Sequence, residues 1–594
     1  MLNGRTVAVV FLIGSLIAGT SFAQQRTLAD DWNDFLHFSK IGRLDLAKGY
    51  AQAILDGSPD PVALLELSQA NPQGYDLAMR VVDTSRDSEL ASLAKQLLGV
   101  IDRGRFELRS DPHVIVEEIA RLSTTIRGKM NAISRLRDSG EYAIPFMLDA
   151  IADPARRDEL DNLLEALPQI GRNAIRPLTA ALQMSNDAVK AEVIRALGQI
   201  GYPQALPYLK YVVEKDTSVE LRNLAAQSVQ KIDPRMSNAS AAAMFFQLAE
   251  KYYYQDESLA PQEGPAFANI WFWDPDGERL IREEVDRAYF YELMAMRCCE
   301  WSLKADPQFG LSIGLWLAAF FKAEATGLPM PEYFGPQHAS ALTYARTAGP
   351  EYLQQTLLRG LNDQNAAVAL GAAEALATNA GENSLLYTVG PAQPMLQALS
   401  FSDRAVRYTA AIAIANAGPR QAFNESRLVV QNLAEALGPQ AVAGAWTPEL
   451  AEEYAMRAVE ALLKVGVSRN PVIDLSLAQS ALIAATKGQN HDLQVLASRT
   501  LAYLSSPDAQ RAIAEAALSD EYEMDVRIEA FASLANSAKL HGSLLPDPAV
   551  NQIYELTGSD ETDPDLRAAA AAAYGALNLP SQKVKDLILD QSQS

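Results

Sequence analysis

Between Glu141 and Pro234 the chain writes one short pattern three times. Ala143-Ile144-Pro145, Ala174-Ile175-Arg176-Pro177 and Ala205-Leu206-Pro207 each open an apolar helical stretch, and their prolines lie 32 and 30 residues apart. A polar break follows each one, at Asp153, Asp187 or Asp216, and then a second apolar helical stretch. A helix pair of this length cannot bury its apolar face alone and must stack on the next copy. A period near ~30 residues therefore predicts an all-α fold, an α-solenoid of stacked antiparallel helix pairs.

The residues within each copy agree with that reading. Proline suits the first turn of a helix, where its missing N–H has no intrahelical partner. An Asp before the second helix is expected to act as its N-cap. The second helices are expected over Glu159–Leu167, Val189–Gly198 and Leu221–Ala226. In Val189-Lys190 and Leu221-Arg222 the apolar residue faces the seam and the cation lies just outside it. Alanines fit tight crossings, and Gly198 or Gly201 is expected at the helix stop. These residues resemble the short HEAT repeats of the bilin-lyase type, over residues 141–233. The shared positions are those that stack helices, so the resemblance implies a fold and not chromophore chemistry.

The rest of the chain reads as looser versions of the same grammar. Phe38 to Ala47, with Gly42 at a helix turn, resembles one tetratricopeptide unit, as does Met296 to Phe320 with Asp306-Pro307 at the break. Beyond Gly349 six second helices can be traced, the last ending near Leu577, and a helix from Lys583 to Asp590 is placed to cap the stack. The expected organisation is a leader at 1–23, a tetratricopeptide-like region at 24–110 and HEAT-like repeats at 111–235. An aromatic-rich, tetratricopeptide-like central segment at 236–345 follows, with a β-hairpin insert, and then HEAT-like repeats with a cap at 346–594.

Residues 1–23 have the make-up of a secretory signal. Arg5 supplies a positive start, Val7 to Ala18 an apolar run, and Ser21-Phe22-Ala23 a small-residue cleavage site before Gln24. That run is too short for a comfortable membrane span, as is Leu311 to Phe321. The expected address is exported, periplasmic or extracellular, with no membrane span once the signal is removed. The remaining chain would carry 73 acids against 50 bases. Such an excess repels nucleic acid, which needs a basic footprint, and keeps a protein soluble. The two cysteines, Cys298 and Cys299, are adjacent, and on a helix their side chains point apart; two buried thiols are expected.

Composition changes in the middle of the chain. Residues 245–334 hold 19 of its 45 aromatics. Asn269 to Trp273, then Asp274-Pro275-Asp276-Gly277, then Glu278 to Arg282 read as a β-hairpin closed by a type I turn. A helix is expected from Val285 to Lys304. The turn superficially resembles a calcium loop, but glycine falls fourth rather than sixth and Val285 stands where the twelfth-position acid would be. The rings either fill a junction between arrays or form a platform for a sugar, peptide or cation. On the second reading the ligand-binding residues are Trp271, Trp273, Asp274, Asp276 and Tyr253.

Catalytic punctuation is not seen. The histidines at 37, 113, 338, 491 and 541 are scattered, and no zinc-protease, covalent-haem, nucleophile-elbow or Walker motif is written. The sequence thus supports an exported acidic scaffold that binds a protein or peptide partner, with no cofactor, metal or catalytic residue assigned. The alternative is an enzyme or ligand-binding subunit with its site at the aromatic insert.

Overall fold

A computed structural model describes residues 26–262, 266–438, 446–559 and 561–578, with residues 585 and 589. The leader, part of the insertion at 438–447 and nearly all of the expected capping helix lie outside the described residues. The chain divides into two compact units. One comprises residues up to 177 together with the short stretch 262–266, and the other residues 178–261 and from 267 onward.

Among the described residues the elements of the first unit are all helices. It runs through α1 (Leu28–Lys40), α2 (Leu44–Asp56), α3 (Pro61–Ala70), α4 (Pro72–Thr84), α5 (Ser88–Ser110), α6 (Pro112–Arg121), α7 (Ile126–Ser139), α8 (Ala143–Ala152) and α9 (Leu160–Ala166). The helices start where side chains satisfy free N–H groups. Thr27 and Asp30 form a reciprocal capping box on α1, and Asp60, Asn71, Asp87 and Asp111 cap the starts of α3 to α6. Trp32, Phe35, Leu64, Leu97 and Ile101 are fully buried between α1, α3 and α5. Gly104 is required by that packing, because a Cβ there would meet the Pro61 carbonyl oxygen at 2.2 Å.

The division between units falls in α10 (Ile175–Ala181). The second unit then continues through α11 (Asp187–Ile200), α12 (Leu206–Lys215), α13 (Val219–Ile232) and α14 (Ala241–Tyr253). The helical hairpins expected from the sequence are present, and the proline beats enter through short 3₁₀ turns at Gly140–Tyr142, Leu167–Ala174 and Pro203–Ala205. The expected caps are shifted. Asn186, not Asp187, accepts the Val189 N–H to cap α11, and Ser218, not Asp216, accepts the Leu221 N–H to cap α13. Asp153 caps a 3₁₀ turn, Pro154–Glu159, that precedes α9. The helix stop is Gly201, in the left-handed region at φ 72°; Gly198 instead allows a close crossing, since a Cβ there would meet the Ser228 hydroxyl at 2.5 Å.

Among the described residues the only sheet is a hairpin of β1 (Phe267–Asp274) and β2 (Arg279–Asp286), paired from Phe267 with Asp286 to Asp274 with Arg279. It is longer than the sequence suggested. The pairing takes up Val285 and Asp286, so the following helix, α15 (Phe290–Ala305), begins five residues later than expected. α16 (Leu311–Glu324) packs on it.

The remaining helices include Pro350–Asn362 with Ala366–Asn379, and the later second helices Arg404–Ala417, Pro448–Ser468, His491–Leu501, Met524–His541 and Pro564–Ala576. These match the six traced in the sequence to within a few residues. Their seams hold fully buried Leu357, Leu376, Val406, Leu462, Leu501 and Phe531, with alanines where helices cross closely. No described helix is long and apolar enough to cross a membrane.

Candidate functional site

The aromatic insert is built from the strand alternation of β1. Ala268 and Ile270 face one side, Asn269 and Trp271 the other, and all four are buried at the base of the hairpin, while Phe272 to Asp274 are half-exposed. The base is therefore covered on both faces. The Trp271 carbonyl accepts a hydrogen bond from the Arg297 guanidinium of α15 at 3.2 Å. That guanidinium also lies 3.9 Å from the centre of the Phe272 ring, a cation–π contact, and Phe272 meets Tyr333 at 5.1 Å.

At the hairpin tip, Asp274 accepts the Asp276 N–H at 3.1 Å and pairs with Arg279 at 3.5 Å. Asp276 is exposed. Glu278 sits at φ 46° and accepts a hydrogen bond from the Ser185 hydroxyl at 2.6 Å. The structure thus brings Trp271, Trp273, Asp274 and Asp276 together on one hairpin, with their order along it set by strand pairing. Tyr253 is placed elsewhere. It is buried in α14, with the Lys322 ammonium 4.4 Å and the Arg359 guanidinium 5.4 Å from its ring. Neither of those partners belongs to the hairpin. Among the described residues no group of three or more His, Cys, Asp or Glu side chains is placed to hold a metal ion.

A different set of aromatics encloses space. A cleft of about 340 Å³ opens between the end of α10, α11, α12 and the last turns of α15. Its apolar wall is Tyr208, Tyr211 and Val212 of α12 with Trp301 of α15, backed by Phe245 of α14. The rings brace one another at right angles: Tyr211 meets Trp301 edge-on at 5.1 Å and Tyr208 meets Phe245 edge-on at 4.8 Å. Trp301 and Phe245 stack nearly parallel at 5.8 Å. Within the wall, burial raises the pKa of the Tyr208 phenol well above its usual value, and the nearby Cys298 thiol adds to that rise. The phenol therefore stays neutral.

The polar side of the cleft is cationic. Lys190 pairs with Asp216 at 2.8 Å, both side chains largely shielded from water. Lys215 and Lys304 are exposed at the rim, and the Lys304 ammonium lies 4.8 Å from the Trp301 ring centre. Three lysines thus face one aspartate in a chain whose formal charge is −22. Such a recess, apolar on one wall and charged on the other, has the size and chemistry of a site for one or two side chains of a ligand.

Of the cleft residues, Trp301 and Lys304 belong to the aromatic-rich central segment and Tyr208 and Tyr211 to the repeats before it, and none lies on the hairpin. Tyr208 and Tyr211, and Trp301 and Lys304, are each three residues apart on a helix, which puts each pair on one face. That spacing was a usable signal. What the sequence did not give was the packing that brings α12 against α14 and α15.

Residues 144–230 match the family model for HEAT repeats, so the repeats in this stretch are HEAT repeats. No curated protein matches the chain. Among solved structures the chain is similar to an engineered protein at 15% identity, covering 92% of this chain and 99% of that one with a TM-score of 0.21. It is also similar to yeast importin-beta, at 13% identity, 93% and 68% coverage and a TM-score of 0.26. The karyopherin Kap121p bound to the SUMO protease Ulp1p is similar at 10% identity, 93% and 67% coverage and a TM-score of 0.30.

Proposed function

From its HEAT repeats, we propose that this chain is a protein-interaction scaffold whose partner docks in the cleft formed by Tyr208, Tyr211 and Trp301. HEAT repeats stack into solenoids that expose long helical surfaces, and such surfaces serve binding more often than chemistry. The observation that carries the proposal is the cleft itself, a recess of about 340 Å³ with aromatic rings on one wall and lysines on the other. The hairpin favoured by the sequence has less to offer. Its buried base is engaged with Arg297, and the turn carboxylate of Asp274 is engaged with Arg279.

The leader-like composition of residues 1–23 supports an exported protein, periplasmic or extracellular, acting in an acidic and soluble form. Sequencing the N-terminus of the protein recovered from an exported fraction tests the address: Gln24 as the first residue supports it, and an intact Met1 contradicts it. The docking claim is tested by retention on the immobilised full chain at low salt. A protein held by the wild type and released by Trp301→Ala, with an unchanged helical circular dichroism spectrum, supports the proposal. Retention that is indifferent to Trp301→Ala, or no retention at all, contradicts it.

A further inference from the structure

We infer that the segment docked in this cleft is a short acidic peptide stretch presenting an aromatic side chain. The inference rests on the docking proposal and adds the chemistry of the partner. Lys190 is satisfied by Asp216 at 2.8 Å, so the charge offered to a ligand is that of Lys215 and Lys304. Both are exposed, one in the last turn of α12 and the other in the last turn of α15. Neither forms an ion pair among the described residues; Lys304 lies over the Trp301 ring instead. Helix C-termini favour cations, so the last turns of α12 and α15 are suited to carry these two side chains.

These two cations stand on separate helices with the aromatic wall beside them. A ligand that inserts a ring meets Tyr211 and Trp301, whose edge-on arrangement at 5.1 Å can be extended by a further edge-to-face contact. Carboxylates on either side of that ring then meet Lys215 and Lys304. A cationic segment would be repelled by the rim. A long polyanion would be repelled by the chain as a whole, which carries a formal charge of −22. A short stretch of carboxylates lessens that penalty, because charges farther away than a Debye length, ~8–10 Å at ordinary salt, are largely screened from it.

The test uses a fluorescein-labelled nonapeptide with a central phenylalanine flanked by glutamates, titrated with the full chain and read by fluorescence anisotropy. Its glutamine and lysine counterparts, and a sulfated heparin oligosaccharide, are titrated alongside. The glutamate peptide is expected to bind about tenfold or more tightly than the glutamine peptide, and the lysine peptide not to bind. Combined Lys215→Glu and Lys304→Glu, which leave the core untouched, are expected to weaken binding about tenfold or more, and added salt to weaken it in the wild type. Failure of the glutamate peptide to bind, equal binding of the glutamine peptide, indifference to the lysine reversals, or preference for the oligosaccharide would each overturn the inference. A partner retained by the lysine reversals but released by Trp301→Ala overturns the charge assignment and leaves the docking proposal standing. Retention that survives Trp301→Ala removes the docking proposal itself.

Discussion

Lys190 on α11 and Asp216 at the end of α12 pair at 2.8 Å, joining the second helix of one repeat to the break of the next. Asp216 also accepts the Ser218 N–H at 2.9 Å, so it orients the chain into α13 while Ser218 performs the capping. Burial pulls the Asp216 carboxyl upward, but the Lys190 ammonium and the Ser218 N–H outweigh it and hold the group below the usual carboxylate range.

A pH dependence follows from that shift. A carboxyl with a depressed folded-state pKa contributes stability that is present above its unfolded value of about 3.9 and is lost as pH falls through the folded value. Asp216→Asn is expected to lower stability by about 1.5–3 kcal/mol at neutral pH, the range for a hydrogen bond to a charged group. Urea midpoints of wild type and variant should differ at pH 7 and converge in acid below about pH 4. A constant gap across that range would contradict the role given to the pair.

Repeat stacking makes a second prediction. Val193 and Leu197 of α11 are fully buried. Leu197→Ala is expected to cost about 2–5 kcal/mol, and Val193→Asp or Leu197→Asp more, because a carboxylate would be buried without a partner. In a stack stabilised by nearest neighbours, hydrogen exchange should rise first in α11 and α13. Uniform acceleration throughout the chain would argue for a single cooperative core instead.

The hairpin tryptophans should behave differently from each other. Trp271 is buried at the base, so Trp271→Ala is expected to destabilise by about 3–5 kcal/mol. Trp273 is half-buried near the tip, and Trp273→Ala should cost about 1 kcal/mol. Thermal melts followed by circular dichroism check both. An undisturbed melt for Trp271→Ala would return the base of the hairpin to consideration as a ligand platform.

Burial also governs the adjacent thiols. Cys298 and Cys299 are fully buried, and desolvation pushes the Cys298 thiol up to about 12 and the Cys299 thiol well above its usual value. Both should resist iodoacetamide at pH 8 in the native protein and react when it is unfolded, since the thiolate is the nucleophile. Rapid native labelling would place one of them at the surface.

Much of this fold was legible because repeat helices carry redundant signals. Proline beats, alanine crossings and apolar spacing located the pairs, and the second helix Ala366–Asn379 fell where its sequence placed it. The caps were less legible because Asn, Asp and Ser lie within two residues of one another at the breaks, and only backbone geometry chooses among them. α15 started late because strand pairing took Val285 and Asp286, a competition that helical periodicity does not register. The cleft escaped notice because its wall comes from residues 208, 211, 245 and 301, whose meeting depends on tertiary packing. Aromatic density drew attention to the hairpin, where the Phe272 ring packs against Arg297 and Tyr333.

The docking claim is tested most directly by light-induced cross-linking from inside the cleft. Tyr211 is replaced by p-benzoylphenylalanine in the full chain, and an otherwise identical protein carries it at Tyr387, which is exposed and away from the cleft lining. The account predicts a covalent adduct to a partner peptide from position 211 but not from 387, with its yield suppressed by the glutamate nonapeptide. Adducts of equal yield from both positions, or an adduct at 211 that the peptide does not suppress, would contradict it.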